Sequence, residues 1–159
     1  MNKLHIPPLD EQAAKAALEH QKILAKPPLA LGKLEPVAIQ IAAMTGNHAP
    51  RLKDKAVVLF ASDHHIADHG LSLTSTDVTY IQTRNFLQGG GTINAFTRNA
   101  GARLTVVDVG VNYDFGDLPG LVKRKVMHGA NDFSKGPAMT REQALDCLLY
   151  TSPSPRDRG

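Results

Sequence analysis

The sharpest pattern in the chain is a run of six apolar residues, Ala56–Ala61 (AVVLFA), that gives way at once to Ser62-Asp63-His64-His65. A short, unbroken apolar run predicts a strand buried on both faces, as in a parallel sheet. The segment after such a strand is delivered to its carboxyl end, where open α/β sheets hold ligands. The polar stretch Ser62–Leu73 reads as a loop. A helix is predicted over Thr76–Leu87, with Val78, Ile81, Asn85 and Phe86 on one face. Gly89-Gly90-Gly91 breaks it, and Thr92 opens another helix that ends near Asn99. Arg103–Val109 (RLTVVDV) repeats the strand pattern and closes at Gly110. After the Pro119-Gly120 turn a shorter strand is predicted over Leu121–Met127, followed by a loop over His128–Pro137. Thr140 and Gln143 are spaced as a capping box for a last helix that would bury Ala144, Leu145, Leu148 and Leu149.

Upstream, Asp10 is placed to cap a helix over Glu11–Ala25. Its stripe of Ala14, Ala17, Leu18, Gln21, Leu24 and Ala25 has small residues suited to close packing, including against another subunit. Pro27-Pro28 ends that helix, and Lys26–Pro36 is a stiff, turn-rich connector. A second helix over Leu34–Thr45 carries Leu34, Val37, Ala38, Ile41 and Met44 on one face and stops at Gly46-Asn47.

Strands alternating with helices predict an α/β fold: a three-layer, mostly parallel (Rossmann-like) sheet with N-terminal helices. Two strong strands need neighbours, so the sheet is expected to be incomplete through truncation. Residues 1–149 form one domain on this reading, helical over 9–46 and α/β over 51–149. The last ten residues, 150–159, end in SPSPRDRG and form a disordered or foreign tail.

Composition changes this picture little. The chain has 159 residues, 42% hydrophobic and 21% charged, with net charge +3. Its basic residues are scattered, without the clustering of a nucleic-acid surface. The single cysteine, Cys147, excludes an intrachain disulfide and fits a reducing compartment. With no apolar run of membrane-spanning or leader length, a soluble cytoplasmic protein is expected.

Candidate chemistry gathers after the first strand. Asp63, His64, His65, Asp68 and His69 offer five potential ligands within seven residues, a donor set suited to zinc, manganese or iron. No second cluster supports a metal: His5, His20, His48 and His128 stand alone, so capping or solvated side chains are the stronger reading. Asp-His-His after a strand is similar to the motif of DHH phosphoesterases, but Asp10 and Asp54, the only upstream aspartates, follow no strand. Gly89–Gly91 could present backbone amides to a phosphate at a helix start, although a triple glycine is more often a tight connection. Asp108, near the second strand's end, is as well placed to cap a turn as to touch a ligand. Cys147 has no histidine beside it and reads as packing.

Taken together, KPPLALGKLEPVA, VVLFASDHHIADHGLS, DVTYIQTRNFLQGGGTINAF, AGARLTVVDVGV, PGLVKRKVMHGANDF and PAMTREQAL resemble, in order and spacing, nicotinate-nucleotide–dimethylbenzimidazole phosphoribosyltransferases. The match runs from about Leu9 to Leu145 and corresponds to the N-terminal part of a member. The resemblance implies a homodimeric cytoplasmic enzyme of cobalamin lower-ligand synthesis that needs no cofactor or metal. It moves phosphoribosyl from nicotinate mononucleotide to a base nitrogen of 5,6-dimethylbenzimidazole. Nicotinate leaves and C1′ inverts, giving the α-ribotide.

The resemblance also implies that Asp63, His64, Thr74 and Gln82 belong to the substrate site, with Thr74 and Gln82 converging if the helix starts early; Asp108 is added to that site by its place at the second strand's end. By residue type alone, Thr74 is equally a helix cap and Gln82 a solvent-facing side chain. The family's glycine-rich phosphate segment and catalytic glutamate fall outside the matched part, so this chain alone is expected to be inactive. Three departures stand out. Ser62 and His65 replace glycines of the usual Gly-Asp-His-Gly, placing an imidazole beside the pocket, and Leu29-Ala30 replaces the connector's Gly-Ser. They leave open a phenolic or purine acceptor. Two further readings are a metal-dependent phosphoesterase on Asp63-His64-His65 and an interaction module docking through the first helix.

Overall fold

The computed structural model describes residues 6–151, which divide into two compact units between Lys53 and Asp54. The predicted tail lies outside them from Ser152 onward, as does His5.

The first unit is a helical hairpin. α1 (Glu11–Ile23) starts where its sequence requires: Asp10 accepts the Ala13 amide at 2.9 Å, satisfying one of the orphan N–H groups of the first turn. α2 (Leu34–Thr45) ends at Gly46, whose φ of +64° is the left-handed conformation that glycine adopts without steric cost. Ala13 and Ala17 are buried within this unit, where α1 and α2 pack together. Of the expected stripe only Ala17 is buried; Ala14 and Gln21 are half-buried, and Leu18, Leu24 and Ala25 are exposed. On α2 the expected face is not the buried one. Glu35, Ala42 and Ala43 are buried, whereas Leu34, Val37 and Met44 are exposed. Leu34, Ala38 and Ile41 instead line a groove with Ala17, His20 and Leu24.

The buried residue that the pattern did not suggest is Glu35. Its carboxylate takes the Lys26 ammonium at 2.7 Å and the Leu31 amide at 3.2 Å, which folds the proline-rich connector back onto α2. Lys26 first, and the Leu31 amide next, hold the Glu35 carboxyl below its ordinary titration range.

The second unit is α/β. Three strands, β1 (Lys55–Ser62), β2 (Ala102–Gly110) and β3 (Leu121–Lys123), lie in that order and are parallel throughout. The predicted parallel sheet is therefore present. β1 is not buried on both faces, however. It pairs only with β2 among the described residues, and Phe60 is 48% exposed. β3 is shorter than predicted, but the chain beyond it stays alongside β2: the Arg124, Val126 and Gly129 amides donate to the carbonyls of Asp108, Val109 and Gly110.

β1 leads through a 3-10 turn (His65–His69) into α3 (Val78–Leu87) and α4 (Thr92–Asn99). The core is built from Ala61, Val106, Val111, Phe115 and Leu121, with Tyr80, Phe86 and Leu87 of α3 packed against it. Thr83 is the buried residue of α3 and Ile81 is half exposed, so the α3 core face is rotated from the predicted one. α5 (Arg141–Thr151) opens on the predicted capping box: Thr140 accepts the Gln143 amide at 3.1 Å and Gln143 accepts the Thr140 amide at 2.8 Å. Ala144 and Leu145 are half-buried there, while the side chains of Leu148 and Leu149 lie outside the description.

Candidate functional site

The carboxyl ends of β1 and β2 are laced to residues 128–130 by main-chain hydrogen bonds. Asp63 N–H donates to Gly110 O at 3.0 Å, His65 N–H to Ala130 O at 2.9 Å and Ala130 N–H to Asp63 O at 2.8 Å. The pairing slips at this end: Ala61 faces Asp108 but Ser62 faces Gly110, leaving Val109 as an extra residue in β2. Such an irregularity re-aims the side chains beyond it. Asp63 turns its carboxylate onto the Asn112 amide at 2.7 Å, fixing the loop after β2.

A cavity of about 270 Å³ opens between this strand end and the start of α3. Its polar lining includes Asp63, His64 and Thr74, with Ile66, Ala67 and Val78 as apolar walls. The volume sits just below the range of roughly 300–1,000 Å³ usual for small-molecule sites. Three of the five expected site residues therefore meet at one cavity. The convergence of Thr74 with Gln82 does not occur on a shared helix. α3 begins only at Val78, and Thr74 lies in the preceding turn, paired with the Ser72 hydroxyl at 3.0 Å. Gln82 is exposed, accepts from Asn85 at 3.2 Å and is not among the cavity's lining residues.

Asp108 stands in a second, smaller cavity of about 210 Å³ with Phe115, Lys125 and His128. Only 3% exposed, it accepts the Gly110 and Val111 amides at 3.1 and 2.9 Å and lies 3.3 Å from the Lys125 ammonium. The turn-capping role weighed from its position is thus occupied, while its second oxygen meets a lysine. Lys125 also donates to the Tyr113 carbonyl. Tyr80 stacks on Tyr113, centroids 4.4 Å apart, with Arg84 over the Tyr113 ring at 5.7 Å. Lys125 and this aromatic stack carried no sequence signal, because their partners come from segments far apart in the chain.

The histidine–aspartate cluster does not converge. His65 pairs with Asp68 at 3.1 Å and His69 with Asp132 at 2.7 Å, while Asp63 caps Asn112. Among the described residues no three histidine, cysteine, aspartate or glutamate side chains come together as metal ligands, so the geometry lends the phosphoesterase reading no support. His65 is also absent from the lining of the first cavity. Its ring points instead at loop 128–130, a correction to the imidazole expected beside the pocket. The Ser134 hydroxyl, followed by His69, drives the Asp132 carboxyl well below the ordinary carboxylate range.

The triple glycine is a packing device. The Gly89 and Gly90 amides donate to the Phe86 and Asn85 carbonyls at 3.2 and 3.0 Å, and the Gly91 amide to Asn94 Oδ1 at 3.0 Å. All three are used internally, which leaves none for a phosphate.

The fold and site define a class, and comparison with known proteins places the chain in it. The profile of a family described as phosphoribosyltransferase matches residues 6–152; the chain belongs to this family. It is 47% identical over 144 residues to a Chloroflexus aggregans protein named nicotinate-nucleotide–dimethylbenzimidazole phosphoribosyltransferase, a match covering 91% of this chain and 41% of that one. The Geobacter sulfurreducens protein of the same name is 45% identical over 141 residues, covering 89% of this chain and 40% of that protein. A crystal structure of this phosphoribosyltransferase from Thermus thermophilus superposes with a TM-score of 0.80 at 42% identity, covering 89% of this chain and 43% of that chain. The chain thus spans about two fifths of the length of these relatives.

Proposed function

We propose that this chain is the N-terminal part of an enzyme that transfers phosphoribosyl from nicotinate mononucleotide to 5,6-dimethylbenzimidazole or a related base. The observation that carries the reading is the meeting of Asp63, His64 and Thr74 at one cavity, in a chain matching this family from residue 6 to 152. An aromatic base needs a flat apolar slot and a few hydrogen-bonding groups at its ring nitrogens. Ile66, Ala67 and Val78 supply the first, and the Thr74 hydroxyl and His64 imidazole supply the second. In the reaction a base nitrogen attacks C1′ as nicotinate leaves, and a carboxylate outside the matched region takes the ring proton. Gln82 and Asp108 belong to the proposed substrate site as well, Gln82 through a reorientation of its side chain and Asp108 through the second cavity. The parent protein acts as a cytoplasmic homodimer, without nucleic acid or membrane; no helix among the described residues is long and apolar enough to cross one.

The test is direct. Purified chain should bind dimethylbenzimidazole, with affinity falling about tenfold in Thr74→Ala if one cavity hydrogen bond of about 1.4 kcal/mol is lost. Added nicotinate mononucleotide should give no α-ribotide. Turnover by this chain alone, or base binding indifferent to both Thr74→Ala and His64→Ala, would overturn the proposal.

A further inference from the structure

The His65 ring makes two contacts of the same kind. Nδ1 lies 3.1 Å from the Asp68 carboxylate and Nε2 lies 3.2 Å from the His128 carbonyl oxygen. Both partners only accept. A neutral imidazole carries one N–H and one lone pair, so it would satisfy one partner and turn a lone pair on the other. The imidazolium, a donor at both nitrogens, satisfies both. The neighbouring backbone is fitted to the ring: a Cβ on Gly129, which has φ +71°, would stand 3.0 Å from His65 Nε2.

We propose that His65 is a positioning residue that works as the imidazolium, clasping the 3-10 turn to residues 128–130 and thereby holding the Asp63–His64 wall of the candidate base cavity. The inference rests on the base-site reading only for what the wall contacts; the clasp stands on the geometry alone. The groups around the ring favour the cation. Asp68 on its own turn and Asp63 at the end of β1 are negative, and Asp132 in the facing loop is shared between His69 and Lys135. His64, His69 and His128 are the other titratable groups in these segments. Asp68 first, and the His128 carbonyl next, raise the His65 titration above its ordinary value. The sign is then fixed. A group whose folded value is raised contributes fully below its unfolded value, near 6.5, and the contribution is lost as pH rises through the folded value.

The experiment uses the full chain, tracking the His65 ring by NMR titration and the His65 and Ala130 amides by hydrogen exchange corrected for intrinsic rates. In the native chain His65 should titrate above its ordinary value, and protection of both amides should fall as it deprotonates. Asp68→Asn should shift the titration and the protection loss downward together. His65→Gln should lack the low-pH protection, whereas His65→Arg, charged throughout, should keep it at every pH. Native protection that is flat across the titration, or a His65→Arg chain as pH-dependent as the native one, would overturn the clasp. Dimethylbenzimidazole binding, compared between native chain and His65→Arg, tests the positioning. Affinity falling with pH in the native chain relative to His65→Arg supports it, and identical profiles overturn it. Absence of base binding at every pH in a chain that shows the clasp would overturn the base-site reading and leave the clasp standing.

Discussion

Leu29 shows how a single residue can hold a turn in a conformation that its side chain disfavours. It is the one non-glycine residue with positive φ (+60°) among the described residues. A β-carbon in the left-handed region costs roughly 1–2 kcal/mol, and the 75% exposed side chain recovers little of that through burial. The strained turn persists because the Lys26–Glu35 contact closes the connector around it. Leu29→Gly relieves the strain while adding chain entropy to the unfolded state, so a net gain of about 0.5–1 kcal/mol is expected. Urea unfolding measures it, and a loss of stability would mean that the leucine side chain packs in a way its exposure does not suggest. At this scale Asp108 is also informative: a buried carboxylate with two amide donors and a lysine has every reason to be structural, whatever else it touches.

At the scale of elements, the α3–α4 junction is governed by its glycines. A Cβ on Gly91 would fall 2.5 Å from the Phe86 ring and 3.1 Å from Asn94 Oδ1, whereas one on Gly101 would meet nothing within 4 Å. Gly91→Ala must displace a ring packed against the core, for an expected cost of about 2 kcal/mol. Gly101→Ala, at φ +62°, should cost only the backbone strain of about 1 kcal/mol. Equal losses in urea melts would show that packing does not set the junction. Legibility divides along the same line. Asp10, Gly46 and the Thr140–Gln143 box were readable because a cap is satisfied within a few residues of itself. The buried faces of α2 and α3 were not, since what covers them is decided by distant segments: Glu35 turns inward for Lys26, and Thr83 rather than Ile81 meets the core. The site divides likewise. The delivery of Asp63 and His64 to a strand end came from the apolar run alone, whereas the aim of His65 at a carbonyl 63 residues away came from nothing local.

For the whole molecule the governing fact is the unfinished edge. β1 bonds to β2 on one side only among the described residues, and Phe60 stands 48% exposed on it. An unpaired apolar edge is a template for pairing with another chain. The isolated polypeptide should therefore self-associate with rising concentration in light scattering, and Phe60→Lys should suppress this while leaving the circular dichroism unchanged. Association unaffected by the lysine would locate the sticky surface elsewhere, the exposed Leu34 and Met44 of α2 being the next place to substitute. The described parallel sheet and the match to about two fifths of each relative's length fit together: strands this apolar need more cover than the described residues provide.

The slip between β1 and β2 has one more consequence. A Cβ on Gly110 would lie 2.8 Å from Ser62 Oγ and 3.3 Å from the Met127 carbonyl oxygen. The two neighbours differ in kind: the serine hydroxyl ends a side chain that can rotate away, whereas the Met127 carbonyl belongs to the backbone and cannot. Alanine at 110 would therefore be resisted chiefly from the side of residue 127, and the segment after β3 sets how close the two strand ends can come to it.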